Sequence, residues 1–374
     1  MNGRLLNLTS RHARLLRLRA QRLDPASAAG SVLDAVRAVV GLQSQSWPAT
    51  PLGVRCRSRG LLAADVERAR LEERSVVRSW FMRGTLHLVP AEDVGWLLGF
   101  LGPYAIAAGR RRRADLGIDE DTYAAGVRVL ENTLADGPKT RAEIDEALQR
   151  RGVPLAPRSQ AAIHLIGRAA LEGRVCYGPD RGSQKEIVLV RDWVRVGRPL
   201  PSGPALVELT RRYLAAFGPA RPRDLAKWSA LPMPQCREGF AAVAGELAEI
   251  RVDGAPAWLP RERLAELDAL PRERTLRLLG AFDTYLIGYA NPKTAVAERY
   301  RSRVWNGGLI QPALLLDGLP VGVWKIARKA REAVVGVAPF APLDPALESA
   351  LADEAADVAR FLGVTGRLAV QPPE

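Results

Sequence analysis

Two glutamines one residue apart, Gln43 and Gln45, stand in the passage Gly41-Leu42-Gln43-Ser44-Gln45-Ser46-Trp47-Pro48. Each amide carries one acceptor oxygen and two donor hydrogens, so two amides aimed at one point can hold and orient a single water. Neither titrates near neutrality, so the pair cannot remove a proton strongly. Residues two apart point different ways on a helix but to the same side in extended backbone. Pro48 disfavours helix at Trp47, which puts both glutamines at or just beyond the end of a helix expected from about Ser31 to Leu42. Taken alone, Gln-x-Gln is a weak signal and usually marks a polar surface.

Other candidates each carry two readings. Trp47 and Trp80 either stack near a substrate or belong to the core. Arg83, before Gly84, touches a phosphate or holds a turn. His87 lies in an apolar strand, where a structural hydrogen bond is the plainer reading. Asp283 either faces a cleft and supports charge there or pairs with a nearby arginine. The run Arg110, Arg111, Arg112 and Arg113 is a phosphate clamp or a solvated helix face. Asn306, Gly307 and Gly308 read as a hairpin tip able to enter a minor groove, or as a plain turn. Cys56, Cys176 and Cys236, with His12, His87 and His164, show no metal-ligand spacing, and no glycine-rich phosphate loop is present. No metal and no cofactor are expected.

The elements that must position these residues repeat. Gly137-Pro138 and Gly218-Pro219 open matching passages 81 residues apart. In the first, Thr140 and Glu143 make a capping box, and a helix to Gly152 is followed by another over Ser159 to Glu172. Strand-like segments Arg174 to Tyr177 and Ile187 to Val190 come next. In the second, a helix running from Arg221 through Trp228 precedes one over Cys236 to Ala248. Strands Glu249 to Val252 and Ala257 to Leu259 then flank Asp253-Gly254, a tight-turn pair. Helix, helix and two-stranded hairpin make the winged-helix arrangement. A weaker copy precedes both, with helices Ser31 to Leu42 and Ala64 to Glu73 and strands Val76 to Met82 and Thr85 to Val89. Past about Pro271, strand-like segments appear at Ala281 to Tyr289, Ala295 to Val304, Leu309 to Leu316, Val321 to Ile326 and Ala333 to Pro339. A helix over Pro345 to Leu362 and a short strand at Arg367 to Val370 follow. The expected fold class is α+β: three tandem winged-helix motifs, then a small C-terminal β-barrel-like domain. The boundaries are 1–115, 116–198, 199–270 and 271–374.

The chain has 374 residues, of which 47% are hydrophobic and 25% charged, the balance of a globular protein. Its formal net charge of +13 and pI near 10.3 suit a polyanionic partner, nucleic acid first. The apolar stretch Val94 to Ala108 is interrupted by Gly99, Gly102 and Pro103 and is too short to span a bilayer. The basic stretch Arg4 to Arg22 lacks the apolar core of a signal peptide. These features predict a cytoplasmic protein, and charge by itself does not separate DNA from RNA or from an anionic membrane surface as its partner.

Four co-linear segments resemble the bacterial winged-helix, AlkZ-like DNA glycosylases. They are Gly41 to Gln45, Trp80 to His87, Phe282 to Tyr289 and Pro312 to Gly318, and the similarity runs from about Ser31 to Val370. The resemblance implies a C-shaped body around double-stranded DNA and cleavage of the N-glycosidic bond of bulky N7-alkylated purines. The family places a Gln-x-Gln or Gln-x-Asp catalytic pair here. Gln43 and Gln45 match the first form, that of the azinomycin-resistance branch, whereas the broader crosslink-unhooking branch has an aspartate at the second place. One departure follows Tyr289, where this chain reads Ala290-Asn291-Pro292-Lys293 and relatives are richer in arginine. The expected protein is a monomeric monofunctional glycosylase acting on alkylated purines in duplex DNA, with no membrane partner and nucleoid-associated when bound to DNA. The sequence leaves open whether interstrand crosslinks are accepted, and whether the role is repair or self-resistance. The rival reading is a non-catalytic winged-helix DNA-binding protein or transcriptional regulator.

Overall fold

A computed structural model describes residues 6–156, 159–271, 273–291, 296–329 and 331–373. The chain divides into two compact units. One comprises Met1–Glu67, Val207–Trp228 and Pro232–Glu374, the other Arg68–Leu206 with Ser229–Leu231.

In the first unit, strands with one buried and one half-exposed face build a five-stranded sheet. Along the Glu332–Pro339 strand, Ala333, Val335 and Val337 are buried while the residues between them are half-exposed. The hydrogen-bonded order is Leu276–Leu279, Ala313–Leu316, Leu319–Lys329, Glu332–Pro339 and Thr365–Val370. The last pairing is parallel and the others antiparallel. A parallel pairing needs a crossover, and the Pro345–Phe361 helix supplies it. Asp344 caps that helix by accepting from the Leu347 N–H, with Pro345 in its first turn. Leu347, Leu351, Ala355 and Val358 form its buried stripe.

Three C-terminal and N-terminal expectations change. Ala281 to Tyr289 is not a strand. Phe282 takes a left-handed φ of 59° and Asp283 caps a 3-10 turn, Thr284–Leu286. Ala295 to Val304 was also expected extended, yet Glu298–Val304 is helical; Ala295, like Pro292 and Lys293, lies outside the described residues. Val296, Tyr300 and Val304 recur every fourth residue and pack into one cluster, a helical period that the strand reading overlooked. The helix expected over Ser31 to Leu42 is shorter, Val32–Arg37. Val40, a β-branched residue, sits at φ 64°, where the side chain crowds the backbone at a cost of about 1–2 kcal/mol. That residue turns the chain out of helix before Leu42.

The second unit holds strands Leu86–Pro90, Val76–Trp80, Val175–Arg181, Gln184–Leu189 and Lys139–Thr140, hydrogen-bonded in that order. Its core gathers Leu130, Ile144, Leu165, Ile166, Val175 and Ile187. The capping box forms as expected: the Thr140 N–H donates to Glu143 at 2.7 Å, and the Glu143 N–H donates to Thr140 Oγ1 at 3.3 Å.

The repeat is visible in the pairing. The helices Arg141–Arg150 and Ala161–Leu171 precede the Val175–Leu189 hairpin. The helices Pro222–Ser229 and Met233–Ala242 precede the hairpin of Leu247–Val252 and Ala255–Pro260. The later helix ends at Ala242 and not at Ala248, because Gly245 falls in a 3-10 turn leading into the strand. Lys139 pairs with Ile187 and Ala220 with Trp258, so the edge residue that precedes the helices recurs at the 81-residue offset while its partner in the shorter second hairpin comes 71 residues on. Asp253 and Gly254 both take positive φ, as a two-residue primed turn requires. Among the described residues no helix is long and apolar enough to cross a membrane.

Candidate active site

Leu42–Gln43 is extended, and the segment after it is closed by the Trp47–Ala49 3-10 turn and the Thr50–Arg55 helix. Burial alternates through it: Ser44 is buried, Gln43 half-buried and Gln45 exposed. Extended backbone puts alternate side chains on opposite sides, so Ser44 points inward while the glutamines flank it. Thr50 Oγ1 contacts Ser44 Oγ at 2.9 Å and donates to the Ser46 carbonyl at 3.0 Å, holding the turn from within. The Gln45 amide forms no hydrogen bond among the described residues and faces solvent. Trp47 is half-buried in the 3-10 turn.

The turn rests on the Phe282-to-Tyr289 segment. The Gln43 backbone N–H donates to Thr284 Oγ1 at 3.1 Å, and Thr284 is buried. Gly280 allows the approach, since a Cβ there would lie 2.8 Å from the Ala49 carbonyl oxygen. Asp283 takes the second of its two readings, for its carboxylate is fully buried and paired with Arg57 in a two-pronged contact of 2.7 and 2.8 Å. It also accepts from the Tyr285 N–H at 2.9 Å. Arg57 in turn donates to the Gly53 carbonyl at 3.0 Å and to Gln21 Oε1 at 3.3 Å. Burial is the largest single effect on Arg57 and lowers its pKa, but the Asp283 carboxylate and the Cys56 sulfur together raise it overall. Burial pushes the Cys56 thiol up to about 12, so it stays protonated. The glutamines therefore sit on backbone anchored by buried, fixed charges. Arg57 and Thr284 escaped the sequence reading, because a lone arginine or threonine carries no pattern until its partner is known.

The remaining candidates fall elsewhere. Asn306, Gly307 and Gly308 do form a hairpin tip, between Trp305–Asn306 and Leu309–Ile310, with Gly307 and Gly308 both at positive φ. The tip is exposed, and Leu309 beside it is 55% exposed, unusual for so apolar a residue. The Glu298–Val304 helix before it carries Arg299, Arg301 and Arg303.

In the second unit, Arg83 sits in the turn between two strands at φ 60°, and burial lowers its pKa to about 10. His87 is buried, with Nδ1 2.9 Å from the Thr85 carbonyl oxygen. Burial, helped by Arg83, drops its pKa to about 3, so it is neutral and sealed from substrate. The arginine run divides. Arg110, Arg111 and Arg112 are exposed on the Arg110–Asp115 helix, with Arg112 donating to Gln160 at 2.8 Å. Arg113 is buried and donates to the Ile106 carbonyl at 2.6 Å, which corrects its place in a four-residue clamp. Trp80 stacks on Tyr177, ring centroids 5.2 Å apart, and is a packing residue. Among the described residues no cluster of three or more His, Cys, Asp or Glu could hold a metal.

The family model for AlkZ-like DNA glycosylases matches residues 36–361. The chain belongs to that family. A relative from Streptomyces sahachiroi, named an interstrand DNA cross-link repair glycosylase, is 30% identical over 369 residues, covering 93% of this chain and 95% of its own. The solved structure of the S. sahachiroi DNA glycosylase AlkZ superposes with a TM-score of 0.79 at 28% identity, over 98% of this chain and all of that one. The family decides against the regulator reading: the protein is a DNA glycosylase.

Proposed function

We propose that this glycosylase hydrolyses the N-glycosidic bond of bulky N7-alkylated purines in duplex DNA, with Gln43 and Gln45 placing the water. The observation that carries the reading is the Gln43-Ser44-Gln45 turn itself: two non-titrating amides, one exposed and one half-buried, on backbone tied to Thr284. N7 alkylation leaves the purine cationic. The C1′–N9 bond breaks with its electron pair going to the base, which leaves neutral, and the sugar acquires oxocarbenium character. The positioned water adds to C1′ and its proton passes to solvent. Placement and electrostatic stabilisation supply the acceleration. No lysine adduct and no cofactor enter this scheme, so the strand is not nicked.

The name of the S. sahachiroi relative supports extending the substrates to interstrand crosslinks. The helix–helix–hairpin repeats support a set of three winged helices followed by a partly closed C-terminal barrel, within the four segments the sequence suggests. A monomer acting at the nucleoid fits the basic charge of the chain. Grip on DNA is assigned to the exposed Arg110 to Arg112 and to the Asn306 to Leu309 tip, whose apolar leucine is the kind of side chain that wedges between base steps. Arg83 and Trp47 border these roles, as contacts to phosphate and lesion.

The test is single-turnover base release from a duplex carrying one N7-alkylguanine, so that product binding cannot mask chemistry. Gln45→Asp retains measurable release, because a carboxylate still accepts from water and adds negative charge near the oxocarbenium. Gln45→Leu, similar in volume and unable to hold water, loses it. A leucine variant as fast as the parent refutes the assignment.

A further inference from the structure

A cavity of about 410 Å³ opens in the first unit between the Ser10–Ala20 helix, the Thr284–Leu286 turn and the base of the Trp305 hairpin. Two arginines one helical turn apart, Arg14 and Arg17, line it, and among the described residues no acidic one does. Both are held by backbone carbonyls. Arg14 Nε donates to Asp317 O at 3.2 Å, and Arg17 donates through Nε and Nη2 to Pro219 O at 3.3 and 2.6 Å. Neither has a carboxylate at ion-pair distance among the described residues. Asp317 turns its carboxylate to Arg11 at 3.1 Å and to the Thr275 N–H at 3.0 Å.

Elsewhere in this unit a buried arginine has an anionic partner: Arg55 with Glu354, Arg57 with Asp283, Arg263 with Glu266. A half-buried guanidinium without one is costly, and burial accordingly lowers the pKa of Arg14 despite the nearby Asp317. The walls are aromatic: Tyr285, Tyr289 and Trp305. Both phenol hydroxyls are spent on backbone carbonyls, of Gly318 and Phe217, each at 3.1 Å. The Arg17 guanidinium lies 4.0 Å over the Tyr289 ring. The Trp305 indole N–H is buried with no acceptor among the described residues.

We propose that this pocket binds the phosphate of a nucleotide, the phosphate supplying the anionic partner that Arg14 and Arg17 lack, with the rings against sugar or base. Guanidinium forks match phosphate oxygens, and the volume exceeds a bare phosphate while falling in the range of small-ligand sites. The phosphate comes either from a DNA strand or from a free nucleotide. The strand source rests on the glycosylase reading; the free-nucleotide source does not.

Deoxyguanosine monophosphate, deoxyguanosine and inorganic phosphate are titrated against the full chain by calorimetry, with tryptophan emission as a second signal. An undamaged duplex is titrated across a salt series. If the source is a free nucleotide, the monophosphate binds at least tenfold more tightly than the nucleoside, Arg14→Gln erases that preference, Arg14→Lys keeps part of it, and Trp305→Phe removes the emission change. If the source is a strand, Arg14→Gln flattens the log–log salt slope by about one and the monophosphate competes weakly. The Trp305→Phe comparison needs no arginine variant, so it stands even if Arg14→Gln fails to fold. A monophosphate no better than the nucleoside, together with an unchanged salt slope, overturns the proposal. Neither arm reads base release, so failure here is separable from failure of the catalytic assignment.

Discussion

The Gln43–Gln45 turn and the Asn306–Leu309 hairpin both present exposed side chains on the first unit, yet they are held in opposite ways. Beneath the turn lie Thr284, the Arg57–Asp283 pair and Gln21, all buried. The hairpin rests on two residue pairs, Trp305 with Ile310 and Asn306 with Leu309, and a side chain added at Gly307 or Gly308 would meet nothing within 4 Å. A group that positions a reacting water must be fixed to a fraction of an ångström. A tip that follows a groove gains from yielding. Under the proposed assignment the difference separates a part for chemistry from a part for grip, and four measurements break or sharpen that separation.

The largest effect belongs to the turn. Replacing Gln43 and Gln45 together with alanine is expected to lower single-turnover release by on the order of 1000-fold, with duplex affinity and melting temperature near those of the parent. A large loss of affinity would instead make the turn part of the grip. The second probes the anchor below it. Thr284→Val keeps the shape but removes the acceptor for the Gln43 N–H, and release should fall about tenfold, the worth of one buried hydrogen bond left unmade. Thr284→Ser restores it. Equal rates in both variants would show that the anchor does not set the geometry.

The hairpin gives the third. Leu309→Ala should weaken binding of undamaged duplex by about 1–2 kcal/mol if the leucine is buried on DNA, while release at saturating enzyme stays within about twofold. A loss of rate with intact affinity would erase the contrast between the regions. The smallest effect on release is none, and it concerns pH. Amides do not titrate, so release should be flat between pH 6 and 8. Stability should not be. His87 has a folded pKa near 3 against an unfolded value near 6.5, so below pH 6.5 the unfolded chain takes up a proton that the folded chain refuses. The stabilisation is complete above pH 6.5 and is lost as pH falls toward 3, at up to about 1.4 kcal/mol per unit. Urea midpoints at pH 7 and 5 should separate the parent from His87→Gln; parallel shifts would place the titration elsewhere.

Patterns local in the chain were legible before any coordinates. The Thr140–Glu143 capping box, the Asp253-Gly254 and Gly307-Gly308 turns and the Pro345–Phe361 helix each depend on contacts within a few residues, and each formed. The errors arose where a distant contact overrode local preference. Val40 accepts a left-handed backbone because the surrounding core holds it there, and the strand expected at Ala281 to Tyr289 becomes a capped turn because Asp283 meets Arg57, 226 residues away in sequence.

By itself the sequence determined the basic charge, the Gln-x-Gln motif, the 81-residue repeat and the resemblance that names the chemistry, since residue types and short spacings suffice for these. Only the tertiary structure decided that Asp283 and His87 are buried, that Arg113 leaves its run, that Thr284 carries the Gln43 backbone, and that Arg14 and Arg17 share a cavity where no described residue offers a carboxylate. Whether a charged side chain meets water, a carboxylate or a carbonyl is set by segments hundreds of residues apart, and no local pattern encodes that meeting.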